Sequence, residues 1–123
     1  MTENDSNTTI AQARIWANKY RDDRDWRKFH HPKSLLLGLV SEVGELADIL
    51  RYLTDDQIKE LLTTPSKKLE LEREFADILW NLLYLSEDMN VDLVSALREK
   101  IAHTEKKYPV EQVKGVNKKH TEY

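Results

Sequence analysis

SLLLGLVSEVGELADILRYL, residues 34–53, is the stretch that decides the fold. Leu35, Leu36, Leu39, Val43, Leu46, Leu50 and Leu53 recur at steps of three and four, the period of a helix with one apolar face. A second stretch, SKKLELEREFADILWNLLYLSED at 66–88, repeats the pattern through Leu71, Phe75, Ile78, Leu79, Leu82 and Leu85. Between the two, Thr54 and Gln57 have capping-box spacing and open a short helix through about Leu62. TTPS at 63–66 reads as a turn, with Pro65 suited to the first position of the next helix. Upstream, Thr9 and Gln12 form another capping box, followed by Ile10, Ala13, Trp16, Ala17 and Tyr20 at helical spacing. RDDRDWRKFHHPK at 21–33 then breaks the period, ending at Pro32. Downstream, Asn90 can stop the long helix in a left-handed conformation, and Asp92 can cap a last helix carrying Leu93, Leu97 and Ile101 towards Tyr108. Pro109 ends it.

No strand-like alternation persists, and Gly and Pro number only three each. The expected class is therefore all-α, four main helices in a four-helix-type bundle. Its expected organisation is a disordered 1–8, a helical domain over 9–109 and a polar tail over 110–123. A chain of 123 residues has room for one domain. A helical core of that size is thin, which favours assembly into an oligomer.

Composition removes several classes. There is no Cys, so disulfide frameworks, thiolate metal sites and cysteine nucleophiles are excluded. The net charge of −3 disfavours a nucleic-acid polymer as partner. No apolar run approaches membrane-spanning length, and the polar start MTENDSNTT lacks a signal-peptide core, which points to the cytoplasm. The charge is also segregated. Residues 38–90 hold 12 acidic and 5 basic side chains, whereas 98–119 hold 7 basic and 3 acidic ones.

Within the acidic centre two short motifs stand out, Glu42-Val43-Gly44-Glu45 and Glu74-Phe75-Ala76-Asp77. Each places two carboxylates three residues apart, on one side of its helix. Antiparallel helices joined by a short connection can bring the pairs face to face. Glu42 projects at the margin of the apolar stripe, where a carboxylate is costly unless paired or coordinated. Asp48 is turned away towards solvent. Glu74, Asp77 and Asn81 form a polar stripe that is ordinary solvated surface unless it faces Glu42 and Glu45. Gly44 would allow close packing inside the first motif. Four converging carboxylates call for a hard cation such as Mg²⁺, which takes oxygen ligands and recruits phosphate. A di-iron carboxylate centre wants Glu-x-x-His pairs, and none of His30, His31, His103 and His120 follows a Glu at that spacing.

The combination DWRKFHHPKSLLLGLVSEVGELADIL, EREFADILWNLLYLSEDMNVDL and KKYPVEQVKG resembles the MazG-like all-α nucleoside triphosphate pyrophosphohydrolases, in their dCTP pyrophosphatase-like branch. The resemblance covers roughly residues 9–115. It implies hydrolysis of a nucleoside triphosphate to the monophosphate and pyrophosphate, with Glu42, Glu45, Glu74 and Asp77 as ligands of Mg²⁺, or of Mn²⁺ in its place. It implies that Trp26 closes over the base and that Tyr52 lines the nucleoside pocket where the branch often has Trp. Lys100, Lys107 and Tyr108 match a C-terminal segment that contacts phosphates. Asn81 stands where the branch often has Tyr, and Thr104 where it often has Asn; both fall near the expected nucleoside pocket, so the resemblance fixes neither base nor sugar preference. His30 is a further substrate candidate, against the ordinary reading of a His near Pro as a turn residue. The family habit implies a homo-oligomer, a tetramer built as a dimer of dimers rather than a dimer.

The expected function is housecleaning of the deoxynucleotide pool, with dCTP or a related pyrimidine favoured. Two alternatives stay open: a nucleotide-binding sensor, and a non-catalytic helical interaction module whose acidic stripes only solubilise it.

Overall fold

A computed structural model describes residues 2–122. Among them there are six α-helices, two short 3-10 turns and no strand, so the protein is all-α. The helices are α1 (Ile10–Asp23), α2 (Pro32–Leu50), α3 (Asp55–Thr63), α4 (Pro65–Asp88), α5 (Leu93–Lys107) and α6 (Val110–Val113). No helix among the described residues is long and apolar enough to cross a membrane. Met1 and Tyr123, the outermost residues of the two expected tails, lie outside the described residues.

Local chemistry explains most of the boundaries. The Thr9 side chain accepts from the Gln12 amide while Gln12 returns a bond to the Thr9 N–H. Thr54 and Gln57 do the same for α3. Asp92 caps α5 by accepting from the Ser95 amide at 2.8 Å. Asn90 ends the long helix at φ 54°, the left-handed stop its position predicts.

Two boundaries differ from the periodicity. Helix α2 starts at Pro32, two residues before Ser34, because proline's missing N–H costs nothing in a first turn. Ser34 Oγ accepts from the His31 N–H at 3.1 Å and secures that start. The same helix stops at Leu50 rather than Leu53, since Thr54 must be extended (φ −73°, ψ 164°) to cap α3. Helix α1 runs on to Asp23, three residues past Tyr20.

The chain divides into two units, residues 1–90 and 91–123. In the first, α4 is the hub and packs against α2, α1 and α3. Ala17, Leu35, Leu61, Leu71, Leu83 and Tyr84 are its buried apolar residues. Leu36, Val43, Phe75 and Leu79, expected in the core, are instead exposed. Leu79 borders an apolar cavity with Ala13 and Trp16 of α1. In the second unit, the His120 N–H donates to the Tyr108 hydroxyl at 3.3 Å, and the two rings meet edge to face at 5.8 Å.

Candidate metal centre

Helices α2 and α4 run antiparallel, with Gly38 opposite Asn81 and Glu42 and Glu45 opposite Glu74. Each of these three glutamates offers a carboxylate oxygen within 4.8 Å of the other two. The stripe on α4 therefore faces α2 rather than solvent. Asp77 is half-buried one turn along; it stands outside that three-carboxylate cluster but adds its charge to the field on Glu42 and Glu74. Asp48 points away and pairs with Arg51 at 3.2 Å.

Close approach at this seam depends on Gly38, not on Gly44. A Cβ built on Gly38 would lie 3.1 Å from Asn81 Oδ1, whereas one on Gly44 would meet nothing within 4 Å. Gly44 lies on a side of α2 turned away from its neighbours. Gly38→Leu is expected to wedge the seam open one turn from Glu42 and to cost about 1–3 kcal/mol by overpacking. Thermal unfolding and divalent-cation titration check this; both stability and affinity should fall.

The electrostatics are those of a site short of positive charge. Burial, followed by the hydrogen-bonded and charged Glu45 carboxylate, pushes the Glu42 pKa up to about 7, and Asp77 and Glu74 add to the shift. Burial and Glu45 raise Glu74 as well. One oxygen of Glu42 and one of Glu74, both Oε2, are buried without a hydrogen-bond partner. Buried acceptors normally have partners. Three carboxylates with two orphaned oxygens fit a hard, oxygen-seeking cation, so the acidic triad is one that could hold a metal ion.

The remaining predicted residues fall into two groups. Trp26, His30, Tyr52 and Asn81 belong to the first unit. Trp26 is 44% exposed and meets the Tyr20 ring edge to face at 5.9 Å. His30 is half-buried against Tyr84, ring centroids 5.0 Å apart. Tyr52 is 80% exposed beneath the Arg51 guanidinium, 4.5 Å from its ring centroid. Asn81 donates to the Asp77 carbonyl at 3.0 Å. Lys100, Thr104, Lys107 and Tyr108 belong to the second unit, where all but Lys107 line one concavity of about 280 Å³.

Sequence reasoning missed an ionic and aromatic cluster where α1 meets α4. Arg21 is fully buried and forms a bidentate pair with Asp88, at 2.7 and 3.1 Å. Arg21 and Asp88 sit in the polar runs RDDRD and SEDMN, 67 residues apart, and carry no local signal of pairing. Beside them, Tyr20 meets Trp80 edge to face at 4.8 Å, at an apolar cavity of about 360 Å³ that Ala13, Trp16 and Leu83 also line.

The family model of the MazG nucleotide pyrophosphohydrolase domain matches residues 30–110. Human dCTP pyrophosphatase 1 is 33% identical over 114 residues, 93% of this chain and 67% of that protein. Its Bos taurus counterpart is 34% identical over 117 residues, 95% of this chain and 69% of that protein. The crystal structure of a pyrophosphatase from Archaeoglobus fulgidus superposes with a TM-score of 0.75 at 30% identity, covering 89% of this chain and 98% of that one. The chain belongs to the MazG nucleotide pyrophosphohydrolase family. Its activity is that of a nucleoside triphosphate pyrophosphohydrolase.

Proposed function

We propose that this enzyme hydrolyses a pyrimidine deoxynucleoside triphosphate, dCTP foremost, to the monophosphate and pyrophosphate with Mg²⁺ held by Glu42, Glu45, Glu74 and Asp77. The observation that carries this is the convergence of Glu42, Glu45 and Glu74 between two antiparallel helices, with two of their buried oxygens unpartnered. The names of the relatives support the choice of dCTP. Mn²⁺ would substitute, because the donors are all carboxylate oxygens. When bound, the cation supplies charge neutralisation and Lewis acidity to the phosphate oxygens. Glu45 or Glu42 orients a water or accepts its proton. Lys100 and Lys107 offset charge on the departing pyrophosphate, with Thr104 and Tyr108 beside them. Asn81 and Tyr52 border the nucleoside, and His30 contacts it.

Trp26 closes on the base. Stacking of a base on an aromatic ring contributes about 1–3 kcal/mol in single-strand binders, so Trp26→Ala should raise KM by roughly 5- to 150-fold. Steady-state kinetics with dCTP reads this directly.

Association into a homo-oligomer, a dimer of dimers over a dimer, is part of the same proposal. Leu36, Leu37, Val40 and Val43 support it, each between 48% and 63% exposed along α2. Light scattering after size exclusion tests the assembly. A triphosphate substrate also favours a cytoplasmic enzyme, working through residues 9–109 with 1–8 and 110–123 as extensions.

The deciding experiment is a panel of standard and modified nucleoside triphosphates with Mg²⁺, assayed for pyrophosphate. The expected outcome is turnover, fastest with dCTP. Binding without turnover would favour a sensor. Neither binding nor product with any nucleotide would favour an interaction module.

A further inference from the structure

A segment as polar as residues 21–33 has little apolar surface with which to offset its ordering entropy. Here it is nonetheless tied down at both ends. Its first anchor is Arg21, whose carbonyl accepts the Trp26 N–H at 2.9 Å. Its far end is reached by the same side chain, because Arg21 Nη1 lies 3.4 Å from His30 Nδ1. In between, Arg27 makes a bidentate pair with Asp22 at 2.9 and 3.1 Å and approaches Asp88 at 3.6 Å. The Phe29 and His30 amides close a tight turn on the Trp26 and Arg27 carbonyls. Asp25 sits at φ 52°, a left-handed turn conformation that Asp adopts more readily than most non-glycine residues.

A buried ion pair is a poor way to gain stability, since apolar residues of the same volume do as well or better. What apolar residues cannot do is engage a polar segment. Arg21 has donors left over after Asp88; Nη1 and Nη2 direct theirs to His30 and to Asn18 Oδ1 at 3.4 Å, while Nε is buried without a partner. Asp88 in turn serves both Arg21 and Arg27. The guanidinium lies 4.4 Å from the Tyr84 ring centroid, and that ring also packs against His30. Because arginine only donates, His30 Nδ1 must accept, which puts the imidazole proton on Nε2 and keeps the ring neutral.

We propose that the buried Arg21–Asp88 pair positions the nucleotide-contacting segment: it holds residues 24–31 in one arrangement, so that Trp26 and His30 are preset before substrate arrives. The inference rests on the assignment of Trp26 and His30 to the nucleotide. Arg21 and Asp88 touch no substrate themselves; they act through the segment. Presetting removes an ordering cost from binding and leaves the chemical step alone, so its loss appears in KM and not in kcat.

The test uses the full-length protein and the double variant Arg21→Met/Asp88→Leu, which removes both charges and leaves neither stranded. Amide hydrogen exchange at Trp26, Phe29 and His30 should accelerate at least about tenfold while core amides of α2 and α4 keep their protection. KM for dCTP should rise about tenfold with kcat within about twofold. In a Trp26→Ala background the double change should raise KM less, because one of the two groups it positions is gone. Arg21→Lys covers the case in which the double variant does not fold. A single ammonium cannot span Asp88 and His30, so its KM should also rise. Unchanged exchange at the three amides would overturn the proposal, as would faster exchange with unaltered KM, or an undiminished effect in the Trp26→Ala background. A wild-type protein that turns over no triphosphate would overturn the enzymatic reading instead. Exchange, together with dCTP affinity by calorimetry, would then decide the positioning on its own.

Discussion

Glu42→Gln is expected to abolish pyrophosphate release and at the same time to raise the melting temperature of the chelator-treated protein at pH 8. The first effect follows from removing a carboxylate from a cation site. Cation catalysis is worth several kcal/mol of charge stabilisation, so the loss should reach about 10³-fold. Asp77→Asn should fail in the same assay, through the same field. The second effect follows from proton linkage. With its pKa pushed up to about 7, Glu42 holds a proton when folded at pH values where the unfolded chain has lost it. Stability from this group is therefore present in acid and declines as pH rises from the ordinary carboxylate range through 7. Above that, the folded protein carries a crowded, half-buried carboxylate. Glutamine removes that charge, so a rise of roughly 3 °C is expected at pH 8 and none at pH 5. Added Mg²⁺ should close the gap by stabilising wild type alone, and its binding should weaken as pH falls below 7, because a ligand must first lose its proton. A variant both fully active and no more heat-resistant than wild type would remove Glu42 from the site.

Asp88→Ala should give the largest loss of stability of any single change considered. It leaves the Arg21 guanidinium, which has no exposure to solvent, without its bidentate partner. Breaking a buried pair from one side typically costs about 3–5 kcal/mol; with the Asp88 side chain still 16% exposed, a value near 3 is expected. For a chain of 123 residues that corresponds to a fall of roughly 10 °C or more in melting temperature. Chemical denaturation should show the same loss at an unchanged m value. The contrast with the Arg21→Met/Asp88→Leu pair, which strands neither charge and should lose less stability, is the informative part. It separates the cost of stranding a charge from any benefit of having the charges there. A loss below about 1 kcal/mol for Asp88→Ala would mean that water or Asn18 takes over the guanidinium.

The helices were legible because their signals are local. Capping pairs Thr9 with Gln12 and Thr54 with Gln57 work within one turn of backbone, and both form as their spacing predicts. The left-handed stop at Asn90 is equally local. Boundaries slipped where two elements compete for the same residues, as Thr54 does in cutting α2 short at Leu50. Glu42, Glu45 and Glu74 were legible as a group because i,i+3 spacing survives folding and the connection between the helices is short. Their common face needed only antiparallel packing to become a centre. Core membership was less legible. Val43 and Phe75 have core-like spacing but are about half exposed, because an apolar stripe says which face is greasy and not which neighbour covers it.

The grouping of Glu42, Glu45 and Glu74, then, was written along the chain, in the periodicity of α2 and α4 and in carboxylates spaced three residues apart. Tertiary structure alone decided that Gly38 rather than Gly44 sets the helix approach, and that Arg21 is an interior group paired with Asp88. The physical reason is range. Helical period and capping act over three or four residues, and composition records them. Steric contact and Coulomb pairing act through space, so partners 43 or 67 residues apart in sequence look like any other small or charged residue until the chain has closed.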